Sequence, residues 1–466
     1  MKTSEIIGDA PADRTAPGHG FTAHVVAEAA RIGPERLTAN VLARTKQAVL
    51  DWLGVSISGA QQDSARATQA FLASEGGPGA ARVIGTAQRA TARQAALAVG
   101  IAGHSQDYDD MGVGGHPSVV VLPAVFAVAQ EVGASGLATI IALLRGYEAM
   151  GMVSAACTNA SYARGYHCTG TFGAFGATVG AGTLLDLDPL TMQRAMGIAG
   201  SQASGLKANF GTMSKHLNAG HAAAVGVLSA RMAQHGFTGA TDVIESPQGF
   251  AITHNPAPDD FDPAAPFASL GERLAVERIM FKQHAACGGT HSAINGINLI
   301  RARRPFTLAD VADVELVVSE QAMTVCAIPE PRTGVEGMFS LRHAAALALT
   351  GTSTGPSGFT DACVNDPLLL AARDKVRVTP MPGGNAGTPT EVRLRFTDGQ
   401  VLTERNELLV VTPDDRLDEQ WHALVAKFHD IVAPILGAER SRELVGLVER
   451  LETLASIAEL TERTAP

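Results

Sequence analysis

The chain has 466 residues, 46% of them hydrophobic and 18% charged, a balance that suits a well-buried globular protein and excludes a disordered one. Its formal charge of −10 and pI of about 5.8, with no basic run, exclude the broad basic field by which proteins hold nucleic acid. The opening MKTSEIIGDAPADRTAPG lacks the apolar core of a signal peptide, and no uninterrupted apolar stretch of about 20 residues supports a membrane span. Five scattered cysteines, with no CxxC pair among them, read as reduced thiols of a cytoplasmic protein. An acidic chain must attract an anion locally, through a few Lys, Arg or His side chains or through helix N-termini.

The length implies two domains. Pro34 opens a predicted helix in which Leu37, Val41, Leu42, Ala48, Val49 and Leu53 recur at helical spacing. Further helices are predicted over Ala90–Gly103, Pro123–Glu131, Gly136–Ala155, Pro189–Ala199 and His221–Gln234. Near residue 270 the character changes. Asp313–Ser319 and Lys375–Thr379 read as strands around a helix at Phe339–Leu349. Alternation on both sides of Asp398-Gly399 predicts a hairpin closed by a two-residue turn. After Pro413 helices return, through Trp421–Phe428 and Leu444–Leu454. The expected fold is mainly α: a large all-helical domain from residues 1–270 and 408–466, with a smaller α+β domain, 271–407, inserted.

Four segments carry candidate chemistry. In His104-Ser-Gln-Asp107-Tyr-Asp109-Asp110, three carboxylates crowd within four residues and need cations, water or a role. If helical, Asp107 and Asp110 share a face, and Gly112, Gly114 and Gly115 let the chain fold His116 back towards them. A solvated helix end is the plainer reading. A calcium loop fails, because its twelfth position is Ser118 rather than Glu. A magnesium site lacks a second acidic cluster.

His167 stands in a Gly-rich turn before an apolar helix, placed to act as a base or to hold an anion. Lys215 is a lone cation between apolar stretches, while His216 and His221 are spaced too poorly for zinc. Lys282, His284, Cys287 and His291 cluster before a helix at the junction of the two expected domains, where clefts form. No metal is expected at any of them.

Taken in order, these segments resemble the MmgE/PrpD family, which includes 2-methylcitrate dehydratase, cis-aconitate decarboxylase and iminodisuccinate epimerase. The matches are His104–Asp110 with His116-Pro-Ser, Gly165-Tyr-His167, Ser201-Gln-Ala-Ser-Gly, Phe210-Gly-Thr with Lys215, Asn218-Ala-Gly, Lys282–His291, Phe339-Ser-Leu and Ala426-Lys-Phe428. The resemblance implies an active site between the two domains, no cofactor, a homodimer and a small di- or tricarboxylate substrate. It places site positions on Asp107, His116, His167, Lys215, Lys282 and Cys287. Two residues depart from the pattern: Met111, where Thr is usual, and Asn218, where His is usual.

A C–H beside a carboxylate is barely acidic, so proton removal needs a placed base and fixed cations. Lys215, Lys282 and His116 are the expected cations, with His284 as a further substrate contact. His167 or Asp107 is the expected base, with burial raising the pKa of Asp107 or depressing that of a lysine. Loss of the Thr hydroxyl at 111 favours an iminodisuccinate-like epimerase over a dehydratase or decarboxylase. A metabolite-binding protein is the non-enzymatic alternative.

Overall fold

Small residues set how closely the helices of this protein approach. The computed structural model describes residues 20–77, 79–157, 160–255, 257, 261–267, 273–326, 328–382, 388–406 and 410–466. Its helical body is built on six long helices: α1 (Ala39–Gly59), α2 (Ala92–His104), α3 (Ser118–Val132), α4 (Gly136–Cys157), α5 (Cys168–Leu184) and α6 (Ser214–Gln234). Thr38 caps α1, and Thr91 caps α2 in a reciprocal box with Gln94. α6 packs on α5 and α2, and α4 on α5. Glycines make these contacts possible. A Cβ on Gly220 of α6 would come 2.4 Å from the Leu97 carbonyl of α2, and one on Gly146 of α4 would come 2.8 Å from the Gly176 carbonyl of α5. α4 is long and apolar enough to cross a membrane, but 78% of its most apolar window is buried inside the protein, which makes it a core helix.

The smaller unit places α7 (Gly288–Arg303) and α8 (Leu341–Thr350) on one face of a four-stranded sheet, β1 (Val311–Ser319), β2 (Val376–Met381), β3 (Thr390–Phe396) and β4 (Val401–Asn406). The spatial order is β2-β1-β3-β4, with β1 and β2 parallel and the other pairs antiparallel. Period-two burial explains its one-sidedness. Val392, Leu394 and Phe396 face the helices, where they join Ile294, Ile297 and Leu341, while Glu315, Arg377 and Arg393 pair on the open face. The chain then returns to the helical body as α9 (Leu417–Leu436), which packs on α1.

Several boundaries differ from the sequence expectation. Pro34 opens only a three-residue 3-10 turn, and the helix proper starts after Thr38. α3 begins at Ser118, so Pro123 lies inside it rather than at its start; the apolar run that precedes the proline is itself buried and helical. α6 begins at Ser214, about two turns before His221, which puts Lys215 in its first turn. The last predicted helix spans Ala438–Glu449, with a 3-10 turn at Leu451–Thr453. In the hairpin only Gly399 takes positive φ (+89°), and Phe396 and Gln400 still share a backbone hydrogen bond of 2.9 Å. The loop is therefore the three residues 397–399, a type I turn closed by a left-handed glycine, rather than a two-residue turn.

Replacing Gly220 by Ala should lower stability by about 1–3 kcal/mol, because backbone must move. Gly446→Ala, mid-helix with no atom within 4 Å of the new methyl, should raise it by about 0.5–1 kcal/mol. Denaturant midpoints of both variants check the pair.

Candidate functional site

α2 ends at His104, and the segment that follows leaves helical geometry at once. Asp107 takes φ +47° and Val113 φ +38°, values that side-chain-bearing residues rarely adopt. The glycines turn the chain back as expected, with Gly112 and Gly115 exchanging backbone hydrogen bonds of 2.9 and 2.8 Å. Asp107 and Asp110 therefore do not share a helical face, and the segment is not a solvated helix end. Asp107, Asp109 and Asp110 are all buried, each with different partners.

Asp107 Oδ1 accepts from Lys215 Nζ at 2.7 Å and from Lys282 Nζ at 2.6 Å. Lys282 Nζ also donates to the Asp107 carbonyl at 2.9 Å. Burial alone would raise the pKa of Asp107, but the two ammonium groups outweigh it and hold the carboxyl well below its usual range. Lys282 in turn loses by burial and gains more from Asp107 and Asp109, so its pKa rises. These directions oppose Asp107 as the base and keep Lys282 charged, whereas burial lowers the pKa of Lys427 behind the site. Asp107 and Lys282 are locked in their charged forms.

Asp109 accepts from His104 Nδ1 at 2.9 Å and lies 2.9 Å from His116 Nδ1, the latter contact out of line for a hydrogen bond. Burial would raise its pKa, yet the two imidazoles keep it well below the ordinary value. Asp110 differs. Burial pushes its pKa well above the carboxylate range, and it sits in a hydroxyl chain with Ser118 and Tyr147.

Burial also drives the histidines towards neutrality, helped by nearby ammonium groups. His104 falls to about 4, His216 to about 3, and His116 and His167 are lowered too. His116 is therefore not the cation expected from sequence. His167 stands just before α5, where its Nδ1 accepts from the Asn218 amide at 3.1 Å, leaving Nε2 to carry the proton.

Asp107, His116, His167, Lys215, Lys282 and Cys287 all line one cavity of about 350 Å³. His284 does not. Its Nδ1 meets Thr354 Oγ1 at 2.8 Å and its Nε2 meets Asn295 Oδ1 at 2.9 Å, so both ring nitrogens are used within the smaller unit. Three helix N-termini converge on the cavity, since Cys168 and Thr169 of α5, Lys215 of α6, and Gly288 and Gly289 of α7 all line it. Their dipoles add positive potential to that of the lysines. Part of the lining is apolar and includes Met111 and Met280, whose backbones pair at 2.8 Å in both directions.

Sequence reasoning missed the support behind the cavity. Lys427 of α9 donates to Asp51 Oδ1 at 2.7 Å, the Tyr108 carbonyl at 2.7 Å and the Lys282 carbonyl at 3.1 Å. One ammonium thus ties together the two segments that carry Asp107 and Lys282. The aromatic faces of Phe210 and Phe339, 5.8 and 5.3 Å from Lys215 Nζ, were also unassigned. Both phenylalanines and Lys427 lay in quoted motifs, whereas Asp51 and Cys326 carried no local signal.

Donor atoms of His104, Asp107, Asp109 and His116 lie within 4.8 Å of one another, close enough to hold a metal ion. A cation there would stand beside two ammonium groups that already neutralise Asp107, which opposes a metal at this place.

Two family profiles match most of the chain. The MmgE/PrpD N-terminal domain matches residues 24–259 and the MmgE/PrpD C-terminal domain residues 284–453. The chain belongs to the MmgE/PrpD family. Among its relatives, a cis-aconitate decarboxylase of Aspergillus terreus is 27% identical over 95% of both chains. The cis-aconitate decarboxylases of Mus musculus and Homo sapiens are each 26% identical over 91% of this chain, covering 89% and 90% of their own. In this MmgE/PrpD protein Asp107 and Lys215 fall within the N-terminal match, Cys287 within the C-terminal one, and Lys282 between the two.

Neutral buried histidines make stability depend on pH. The unfolded chain takes up protons around pH 6.5, whereas native His104 resists until about 4. The folded state therefore binds fewer protons in that window, and stability falls as pH drops through it. The melting temperature should decline from pH 6.5 to 4.5, because the lowered His104, His116, His167 and His216 outnumber Asp110, Asp51 and Glu148, whose raised pKa works the other way. A flat profile there would contradict neutral histidines.

Proposed function

We propose that this protein is a lyase that decarboxylates a small unsaturated polycarboxylate of the cis-aconitate type, using only its own side chains. One observation carries the reading: the two cavity ammonium groups are unequally committed. Lys282 spends two N–H bonds on Asp107, while Lys215 spends one and turns the rest of its ammonium towards Phe210, Phe339 and the cavity. In this reading Lys282 is an electrostatic anchor and Lys215 the proton donor.

The substrate's retained carboxylates lie against the helix N-termini, Lys282 and the Nε2–H of His167. The departing carboxylate faces the Met111 and Met280 wall. Poor solvation there favours its conversion to neutral CO2, because the charge moves off the group and onto the carbon skeleton. As the C–C bond breaks, its electron pair passes to that skeleton, where fixed positive charge stabilises it. A proton from Lys215 then completes the exchange of CO2 for hydrogen.

The rival reactions find less support. Dehydration needs an acid at a leaving hydroxyl, and the thioether of Met111 offers none. Epimerisation, the reaction the sequence favoured, needs acid–base groups on both faces of one carbon. Beyond their bonds to Asp107, Lys215 keeps two N–H groups and Lys282 one, and both ammonium groups stand against the same Asp107 oxygen. The names of the relatives fit the lyase reading as well.

The test is proton NMR in D2O with citrate, 2-methylcitrate, cis-aconitate and iminodisuccinate. CO2 release with deuterium on the new C–H is expected from cis-aconitate. A new vinyl signal without CO2 would make the protein a dehydratase, and inversion without loss of mass an epimerase. Binding by thermal shift with no chemistry would favour a metabolite-binding protein.

Lys215→Ala should lower kcat about 10³-fold with little change in melting temperature, since Lys282 still neutralises Asp107. Lys215→Arg should not restore turnover, because a guanidinium keeps its proton. Substantial rescue by Arg would reduce Lys215 to a binding cation.

A further inference from the structure

Cys287 and Cys326 both line the cavity, although nearly forty residues separate them in the chain. Cys287 occupies the N-cap of α7 and is anchored by its amide to the Met338 carbonyl at 3.0 Å. Cys326 ends the short helix Glu320–Val325, held by Cys326 N to Ala322 O at 2.8 Å and Leu341 N to Cys326 O at 2.9 Å. Gly289, in the first turn of α7, makes room for the Cys326 sulfur. A Cβ there would fall 2.8 Å from Cys326 Sγ. The two thiols are close enough to influence each other, and Lys282 lines the same cavity beside them.

We propose that Cys287 and Cys326 form a peroxide-sensitive thiol pair inside the cavity, which closes to a disulfide and takes the site out of use. Cys287 is the attacking sulfur. It caps the N-terminus of α7 and shares the cavity with Lys282, an electropositive setting that favours a thiolate, and its pKa lies below the usual thiol value. Burial pushes the other thiols up instead, Cys157 to about 12 and Cys168 to about 11. Cys363 is also raised and stands far along the chain in another helix.

The chemistry balances with hydrogen peroxide as oxidant. The Cys287 thiolate attacks one peroxide oxygen, the O–O bond breaks and hydroxide leaves, giving a sulfenic acid. The Cys326 sulfur then attacks Cys287 Sγ, and the S–O bond breaks. The departing oxygen takes the Cys326 proton and leaves as water. Two thiols lose two electrons, and peroxide is reduced to water. The new bond, about 2.05 Å long, would tie the Glu320–Val325 wall to the start of α7.

This inference does not depend on which reaction the cavity performs, and its test reads thiols rather than turnover. The full chain is exposed to hydrogen peroxide, and remaining thiols are alkylated and mapped by mass spectrometry. The expected product is two hydrogens lighter, with the Cys287 and Cys326 peptides linked and all five thiols recovered after dithiothreitol. Cys326→Ser should leave Cys287 oxidised to an acid with no cross-link. If Cys287 and Cys326 both remain alkylatable while Cys363 reacts first, the pair is not peroxide-sensitive and the proposal fails. The wild-type mapping decides the question even if Cys326→Ser does not fold.

Discussion

The buried contact of Asp107 with Lys215 and Lys282 is the constraint on which the rest of the site depends. An ammonium group is costly to bury, and two beside each other are tolerable only because a carboxylate stands between them. The cluster joins three stretches distant in sequence: the glycine-rich turn after α2, the first turn of α6, and the segment leading into α7. A misdocked smaller unit would strand at least one charge in a low-dielectric interior. Such clusters contribute more to a unique arrangement than to net stability, and here the arrangement is the cavity itself. Lys427 and Asp51 repeat the device one layer deeper, so α9 is held to α1 and to both backbone segments of the site.

Neutral histidines follow from the same cluster. His104, His116, His167 and His216 pack in and around ammonium groups with almost no solvent, and a further positive charge there would be repelled as well as desolvated. Their rings touch one another instead, His104 lying 4.7 Å from His116 and 5.6 Å from His167 between ring centroids. That leaves hydrogen bonding rather than charge as their means of action. Asn218 becomes consequential, because its amide decides which nitrogen of His167 presents a proton. The departure from histidine at 218 therefore alters the proton inventory of the cavity.

Helical periodicity and the hairpin were legible in the sequence because they are local: α1, α2 and β3–β4 declare themselves through spacing and turn residues. The site residues were legible as unusual segments, and six of seven do line one cavity. Their states were not. Whether Asp107 is a base or a fixed anion depends on two lysines 108 and 175 residues away, and no local pattern encodes that meeting. His284 shows the converse, a polar residue in a promising cluster whose partners Thr354 and Asn295 lie inside the smaller unit. Asp51 looked like an ordinary helical residue because its importance comes entirely from Lys427, contributed by the far end of the chain.

An acidic protein that gathers anions must do so at short range, and the packing explains how. A chain of charge −10 offers no long-range attraction to a carboxylate. Potential inside the cavity comes from two ammonium groups and three helix N-termini, all acting through low-dielectric surroundings where screening by salt is slight. Convergence of the α5 and α6 starts requires the helices to run close together, which in turn requires the glycines at their contacts. The abundance of small residues at the helix contacts is thus also what lets the backbone dipoles and the lysines point into the same 350 Å³.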